Sequence, residues 1–391
     1  MKKILVLSFY YHPDLCAGSF RCTSLVEQLA KKEVNIHVIT TCPNRYESYN
    51  IEEKRFYQKG NITINRIPLP NHKSGMIDQM IAFYVFFRGA KKLALKKDYD
   101  IVFATSSRLF TGFLGARISK KMDIPLYLDI RDLFVDTISN IFSPKLGYIF
   151  KPILSLIEKY TFTSAKKINL VSKGFDPYFK EKFPDINCSY FTNGIDIEFI
   201  EVSNDNNSEQ NHKQSTNKVT ILYAGNIGEG QGLHKIIPMM AANLKDEIYF
   251  RVIGAGGLSK KLKARLKELN LKNVEIVAPM KRESLIKEYM KADVLFLHLN
   301  DLDAFKKVLP SKLFEYAATN KPILAGVSGY SKNFILSEIS NCEVFIPANY
   351  KDAIKKLANL KNSDNPRSKF IEKYKREKIM KKMAKDINEL I

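Results

Sequence analysis

The 391-residue chain carries 62 Lys and Arg against 41 Asp and Glu, a formal net charge of +21 and a pI near 9.5. That length suits two domains, and a 45% hydrophobic content excludes a disordered polymer. Five scattered cysteines (Cys16, Cys22, Cys42, Cys188, Cys342) without a Cys-x-x-Cys pair exclude a zinc ribbon or a disulfide framework and fit a reducing cytoplasm. The charge points to an anionic partner (nucleic acid, membrane surface or phosphorylated ligand) or to a simple Lys-rich bias of composition.

The chain opens on Lys3–Phe9, an apolar strand rather than a secretion signal, because Tyr10, His12, Pro13 and Asp14 interrupt it. Ser19–Lys32 has helical spacing, Asn35–Thr40 and Ile62–Ile67 read as strands, and Met76–Lys97 as a long helix. Strands then follow at Ile101–Ala104, Pro125–Asp129 and Lys167–Val171, with helices at Arg108–Met122 and Leu146–Ser164 between them. The polar stretch Glu201–Asn217 reads as a surface loop or linker, since it has almost nothing to bury. Beyond it the rhythm restarts with strands at Val219–Tyr223, Tyr249–Ile253, Val274–Val277, Val294–Leu297, Pro322–Ala325 and Glu343–Ile346, and Phe370–Ile391 closes as a basic helix. Alternating strands and helices predict parallel sheets covered by helices. Two α/β domains are therefore expected, 1–195 and 196–369, with the helix 370–391 packing back on the first and the ligand cleft between them. No apolar run approaches the roughly 20 residues that span a bilayer.

Several segments carry candidate chemistry. Gly18 follows the first strand and opens a helix, where N–H groups can meet an anion and Arg21 would add charge; a simple turn is the plainer reading. Tyr223-Ala224-Gly225-Asn226-Ile227-Gly228-Glu229-Gly230-Gln231-Gly232 is too glycine-rich for an ordinary turn and suits close approach to a phosphate, and Gly254 and Gly256 repeat the arrangement after the next strand. In Pro310-Ser311-Lys312-Leu313-Phe314-Glu315-Tyr316, Pro and Ser suit a helix start. A lysine in the first turn opposes the helix dipole unless a bound diphosphate reverses the cost, and Glu315, one turn deeper, can accept from ribose hydroxyls. The plainer reading is a surface Lys–Glu pair of a few tenths of a kcal/mol. Asp129-Ile130-Arg131-Asp132 gathers three charges at a strand end, as a site or as an ordinary ion pair. Asp301-Leu302-Asp303 and the scattered histidines make no metal site, so none is expected. Met76–Lys97 and Phe142–Ile157 combine large apolar residues with Lys or Arg; the aromatic density of the first favours an interfacial helix, the second an ordinary packed one.

These pieces, in this order, resemble the retaining GT-B glycosyltransferases of family GT4, in particular the bacterial branch that builds O-antigen, capsule and related envelope polysaccharides, with fucosyl- and N-acetylfucosaminyl-transferase-like members. The residues that carry the resemblance are Pro13 and Gly18, Asp129–Leu133, Val171–Gly174, Asn193–Asp196, Tyr223–Gly228 with Gln231-Gly232-Leu233, and Pro310–Lys312 with Glu315-Tyr316. The resemblance implies a GT-B fold of two Rossmann-like domains facing across a cleft. It implies Gly18 near the donor phosphates and the acceptor, Gly254 and Gly256 bordering the nucleotide, backbone near Ala278–Lys281 at the base, Lys312 on the diphosphate, Glu315 on the ribose, and Asn193-Gly194 at the hinge. Two departures stand out: Lys307 occupies the position of a common acidic residue, and Asn226 and Gln231 replace a common Arg and Lys. Arg131 stands near the position of the usual active-site His.

The implied activity is transfer of a sugar from a nucleotide-sugar, UDP-linked and of N-acetylamino or deoxy type, to a polyprenyl-diphosphate-linked saccharide with retention of configuration. Neither cofactor nor metal is required. Asp132 is the candidate for acceptor orientation or base work, with Arg131 and Lys312 beside it in the catalytic set. The expected location is cytoplasmic, peripheral on the inner face of the cell membrane through Met76–Lys97. A sugar-nucleotide 2-epimerase on the same fold is the enzymatic alternative. A basic nucleic-acid-binding protein is the other, although no RNP, zinc-finger or helix-turn-helix signal supports it.

Overall fold

The computed structural model describes residues 1–44, 53–70, 76–106, 109–136, 144–205, 218–361 and 365–391, of which 76–77, 144–150 and 202–205 are described in backbone only. The chain forms two compact units, Met1–Gly194 with Arg376–Ile391, and Ile195–Lys375.

In the first unit the elements run β1 (Lys2–Leu7), α1 (Ala17–Ala30), β2 (Val34–Thr41), β3 (Phe56–Lys59), β4 (Ile62–Ile67), α2 (Met76–Ala94), β5 (Ile101–Ser106), α3 (Leu109–Met122), β6 (Leu126–Ile130), α4 (Pro144–Thr163), β7 (Lys167–Leu170), α5 (Asp176–Lys182) and β8 (Cys188–Ser189). The sheet order is β3-β4-β2-β1-β5-β6-β7-β8. Every pairing is parallel except β3–β4. A parallel strand covered on both faces reads as an unbroken apolar run, and Ile4, Leu5, Val6 and Leu7 have no exposed surface. The edge strand β3 escapes sequence reading because its four residues are all exposed and show no alternation. The loop reading of Glu201–Asn217 is corrected at its start, where a helix extends to Asp205; 206–217 lie outside the described residues.

The second unit contains α6 (Ile197–Asp205), β9 (Val219–Ala224), α7 (Leu233–Asn243), β10 (Ile248–Ile253), α8 (Ser259–Glu268), β11 (Val274–Val277), α9 (Arg282–Lys291), β12 (Val294–His298), α10 (Lys312–Ala318), β13 (Ile323–Gly326), α11 (Gly329–Glu338), β14 (Cys342–Phe345), α12 (Tyr350–Asn359) and α13 (Ser368–Tyr374). Its parallel sheet runs β11-β10-β9-β12-β13-β14. Order reverses between β9 and β12, and such switch points are where open α/β sheets bind ligands at their carboxyl ends.

The single basic helix expected over 370–391 is two. Lys375 breaks it in extended geometry (φ −52°, ψ 123°), α13 stays with the second unit, and α14 (Arg376–Asn388) returns to the first. There Met380, Met383, Ala384 and Ile387 are fully buried, and Asp386 accepts from the Tyr127 hydroxyl at 2.8 Å and pairs with Lys167. Gly194, where the chain leaves the first unit, passes so close to the returning chain that a Cβ would meet Arg376 Cα at 2.6 Å.

Within the first unit, Arg21 is buried to 1% exposure. Its Nε and Nη2 donate to the two oxygens of Asp129 at 2.8 and 2.9 Å, and its remaining N–H groups reach Thr192 O at 2.6 Å and Phe191 O at 2.7 Å. Asn169 adds a further donor to Asp129 at 2.7 Å. This network joins α1, β6, β7 and the segment after β8, so Arg21 is not available to an anion at Gly18 and Asp129 is not available as a reactive group. Arg21→Ala leaves a buried carboxylate unpaired and should cost about 3–5 kcal/mol in urea unfolding. Lys31→Ala, which opens the exposed Lys31–Glu377 pair at 3.0 Å, should cost under about 1 kcal/mol in the same measurement.

Candidate active site

The glycine-rich segment after β9 lies at the switch point of the second sheet. Gly225 N–H bonds Ile253 O at 2.8 Å and Ile227 N–H bonds Ala255 O at 3.0 Å, so the loops after β9 and β10 continue pairing beyond their strands. That proximity explains the second pair of glycines. A Cβ on Gly254 would lie 1.8 Å from Gly225 O, and one on Gly256 would lie 2.5 Å from Ile227 O and 2.7 Å from Asn226 Oδ1. Gly254 and Gly256 thus give room to the first loop. Further on, Gly232 caps α7 with a left-handed φ of 55°, and Gln231 and Gly232 N–H groups turn back to Gly228 O at 3.2 Å. The N–H groups of Gly228, Glu229 and Gly230 find no acceptor among the described residues. Asn226 and Gln231 bond each other through Nδ2 and Oε1 at 2.9 Å.

Helix α10 brings Lys312 to this loop. Its Nζ lies 3.3 Å from the Tyr223 hydroxyl and 4.8 Å from the Tyr223 ring centroid, over the backbone of Gly225, where a Cβ would come within 2.0 Å of it. The same hydroxyl donates to Asn226 O at 2.6 Å, and the Tyr316 hydroxyl accepts from Ala224 N–H at 3.1 Å. Two tyrosines thereby tie helix and loop together. Ser311 occupies the N-cap position of α10 but makes no capping hydrogen bond through its hydroxyl, and Pro310 O accepts from Leu313 N–H at 3.2 Å. Leu313 is fully buried, so its side chain belongs to the core. Glu315 accepts from the Tyr289 hydroxyl at a long 3.4 Å. Arg282 stands in its field while donating to Asp196, which holds the guanidinium above its ordinary range despite burial. Arg367, not singled out from sequence, anchors the far end of α10. It is buried and donates to Ala317 O at 3.3 Å, Lys321 O at 3.0 Å, Ser340 O at 2.9 Å and Asn341 O at 3.2 Å.

In the first unit, Gly18 and Arg131 meet. A Cβ on Gly18 would lie 2.3 Å from Arg131 Nη1, so glycine there makes room for a guanidinium. Burial presses the Arg131 pKa below the usual range, with Asp132 and Asp129 opposing the shift. Solvent reaches Asp132, yet crowding costs its carboxylate hydration and pushes its pKa up to about 6, against the pull of Arg131. Cys16 is the N-cap of α1 and makes no capping hydrogen bond through its side chain.

His298, beside this loop, is a residue that sequence reading missed. It ends β12, the neighbour of β9 at the switch point, so strand order was the signal that would have found it. The glycine accounting gives a contrast: Gly254→Ala should lower unfolding free energy by about 1–3 kcal/mol through overpacking, whereas Gly257→Ala, which meets nothing within 4 Å, should be near neutral in the same thermal unfolding assay.

Comparison with known proteins agrees with this architecture. Residues 204–377 match the family model described as glycosyl transferases group 1. The chain is 26% identical over 369 residues to the putative colanic acid biosynthesis glycosyl transferase WcaI of Escherichia coli K12, covering 88% of this chain and 86% of that protein. Among solved structures it is similar to Anabaena HepE in complex with UDP and glucose, with a TM-score of 0.70, 13% identity and coverage of 99% of this chain and 100% of that one. It is also similar to WaaG, a glycosyltransferase involved in lipopolysaccharide biosynthesis, with a TM-score of 0.56, 13% identity and coverage of 98% and 95%. Two parallel-sheet units and a glycosyl transferases group 1 match over 204–377 make this protein a glycosyltransferase of the GT-B fold.

Proposed function

We propose that the protein is a retaining glycosyltransferase of bacterial envelope polysaccharide synthesis, moving a sugar of N-acetylamino or deoxy type from a UDP-linked donor to a polyprenyl-diphosphate-linked saccharide. The observation that carries the reading is the Lys312 ammonium held over Gly225 beside the uncommitted N–H groups of Gly228–Gly230. A cation and three donors at the carboxyl end of a switch-point strand suit a diphosphate. The similarity to WcaI supports the polysaccharide setting, and the HepE structure with UDP and glucose supports the donor class.

As the nucleoside diphosphate departs, negative charge grows on its phosphate oxygens and positive charge on the sugar ring. Fixed donors stabilise the first without reorganising, which is the largest contribution expected of such a site. Lys312 and the loop N–H groups supply that here. Asn226 and Gln231 are paired with each other and shape the loop. Glu315 accepts from the ribose hydroxyls, with the Tyr289 hydroxyl 3.4 Å from its carboxylate and the Arg282 charge acting on it. Asp132, with Arg131 beside it, orients the acceptor hydroxyl. The scheme needs no protein nucleophile and no divalent metal, since front-face attack keeps the donor's configuration.

The acceptor is a lipid, so the protein works against the inner face of the membrane as a peripheral protein. No helix among the described residues is long and apolar enough to cross a bilayer. The aromatic density of α2 turns out to serve packing: Phe86 and Phe83 lie against Phe9 with centroids at 5.2 and 6.2 Å, and Phe87 stacks on Phe113 at 6.2 Å. What α2 offers a membrane is Met80 (65% exposed), Ile81 (49%) and Tyr84 (58%), followed by Arg88, Lys91 and Lys92.

Lys312→Ala should weaken binding of whichever of UDP, GDP or dTDP stabilises the protein by about 10–100-fold, the worth of a lost charged hydrogen bond, with thermal stability retained. Unchanged affinity removes the diphosphate from this position. Vesicles with anionic headgroups should co-sediment with the protein and release it in salt. Lys91→Gln with Lys92→Gln should weaken the association by about 1 kcal/mol per charge, and indifference of the wild type to such vesicles rejects the membrane surface.

A further inference from the structure

His298 ends β12, on the other side of the switch point from the glycine loop. Its ring has no exposed surface and packs beside Phe296 and Phe345, nearly parallel to both (4° and 18°), with centroids at 6.2 and 5.8 Å and the two phenylalanines 5.9 Å from each other. Gly326 is shaped around it, since a Cβ there would meet His298 Cδ2 at 2.4 Å. The ring therefore cannot turn aside, and its two nitrogens must serve the partners in front of them. The Ala348 N–H donates to Nε2 at 2.9 Å, and a backbone N–H can only donate. Nε2 is thus a lone pair, the proton is on Nδ1, and Nδ1–H donates to Gln231 O at 2.6 Å. Burial keeps the imidazole neutral, pulling its pKa down to about 4, with Lys235 of α7 acting in the same sense and the Gln231 carbonyl against it.

Asn300, two residues on, takes the two preceding carbonyls of the loop: its N–H bonds Gly230 O at 2.8 Å and its Nδ2 bonds Glu229 O at 3.2 Å. Three consecutive carbonyls are therefore drawn to the end of β12. In a trans peptide the N–H points opposite to its carbonyl. Holding Glu229 O therefore turns the Gly230 N–H away from β12, and holding Gln231 O aims the Gly232 N–H at Gly228 O, 3.2 Å away, which closes the turn.

We infer that His298 is a positioning residue for donor binding: as the neutral Nδ1–H tautomer it fixes the Gln231 carbonyl and so holds the Gly228–Gly232 turn in the shape that receives the diphosphate. This rests on the reading of the glycine loop and Lys312 as the donor site.

The two nitrogens can be separated by substitution. Asn places an amide nitrogen near the position of Nδ1, and Gln extends an amide oxygen to the position of Nε2. His298→Asn keeps the bond to Gln231 and loses the bond to Ala348; His298→Gln does the reverse. Calorimetry with UDP, GDP and dTDP, and donor KM once the sugar is known, should show His298→Gln weakening nucleotide binding by about tenfold. His298→Asn should restore most of that affinity, although both variants lose thermal stability to a similar extent. Affinities that follow stability, or an equal effect from the two variants, make His298 a structural residue and overturn the inference. Lys312→Ala measured alongside separates the two levels. If it weakens binding while His298→Gln does not, the positioning role fails alone. If Lys312→Ala has no effect, or the wild type binds none of the three nucleotides, the donor-site reading fails and takes this inference with it.

Discussion

A cation at the first turn of a helix is electrostatically misplaced, and the second unit is built to keep one there. Lys312 stands at the positive end of α10, with its Nζ 3.3 Å from the Tyr223 hydroxyl and 4.8 Å from the centroid of that ring. Everything around it resists the obvious relaxation, which would be to swing the side chain out to water. Gly225 leaves the space it occupies, Tyr316 pins the end of β9, and Arg367 gathers the carbonyls at the other end of α10. An anion at the start of α10 would reverse the electrostatic cost of Lys312, which is the role proposed for the diphosphate.

The first unit uses two of its arginines differently. Arg21 is consumed by a carboxylate and two carbonyls, which is a structural use, and it takes Asp129 out of chemistry with it. Arg131 is left partly enclosed with a depressed pKa, packed on Gly18, beside an acid whose own pKa is raised. Such opposed shifts in neighbouring groups mark functional sites more often than structural ones. The segment Asp129–Asp132 thus splits at the end of the strand: Asp129 is still in β6, whereas Arg131 and Asp132 follow its last residue, Ile130.

The sheets and their helices were legible because parallel strands buried on both faces have to be apolar throughout, and runs such as Ile4–Leu7 cannot be disguised. The edge strand β3 was not, because an exposed strand carries no such constraint. The break at Lys375 was hidden too: the basic run on either side is helical by composition, and only the change of packing partner ends one helix and begins the other. Within the site, Lys312, Glu315 and the glycines were visible as residue types out of place. His298 was not, since a lone histidine at the end of an apolar strand looks like core until the strand order sets it beside the loop.

The path of the chain at Gly194 and Arg376 has a consequence for biosynthesis. Helix α14 supplies Met383 to the surroundings of Arg21 and Asp386 to those of Tyr127 and Lys167, yet it is synthesised after the whole second unit. Domains generally fold in order of emergence from the ribosome. Here the first unit must wait, with the apolar face of α1 uncovered, until the second has been translated. Its consolidation follows the synthesis of the second unit, so the order of completion is the reverse of the order in which the two units begin.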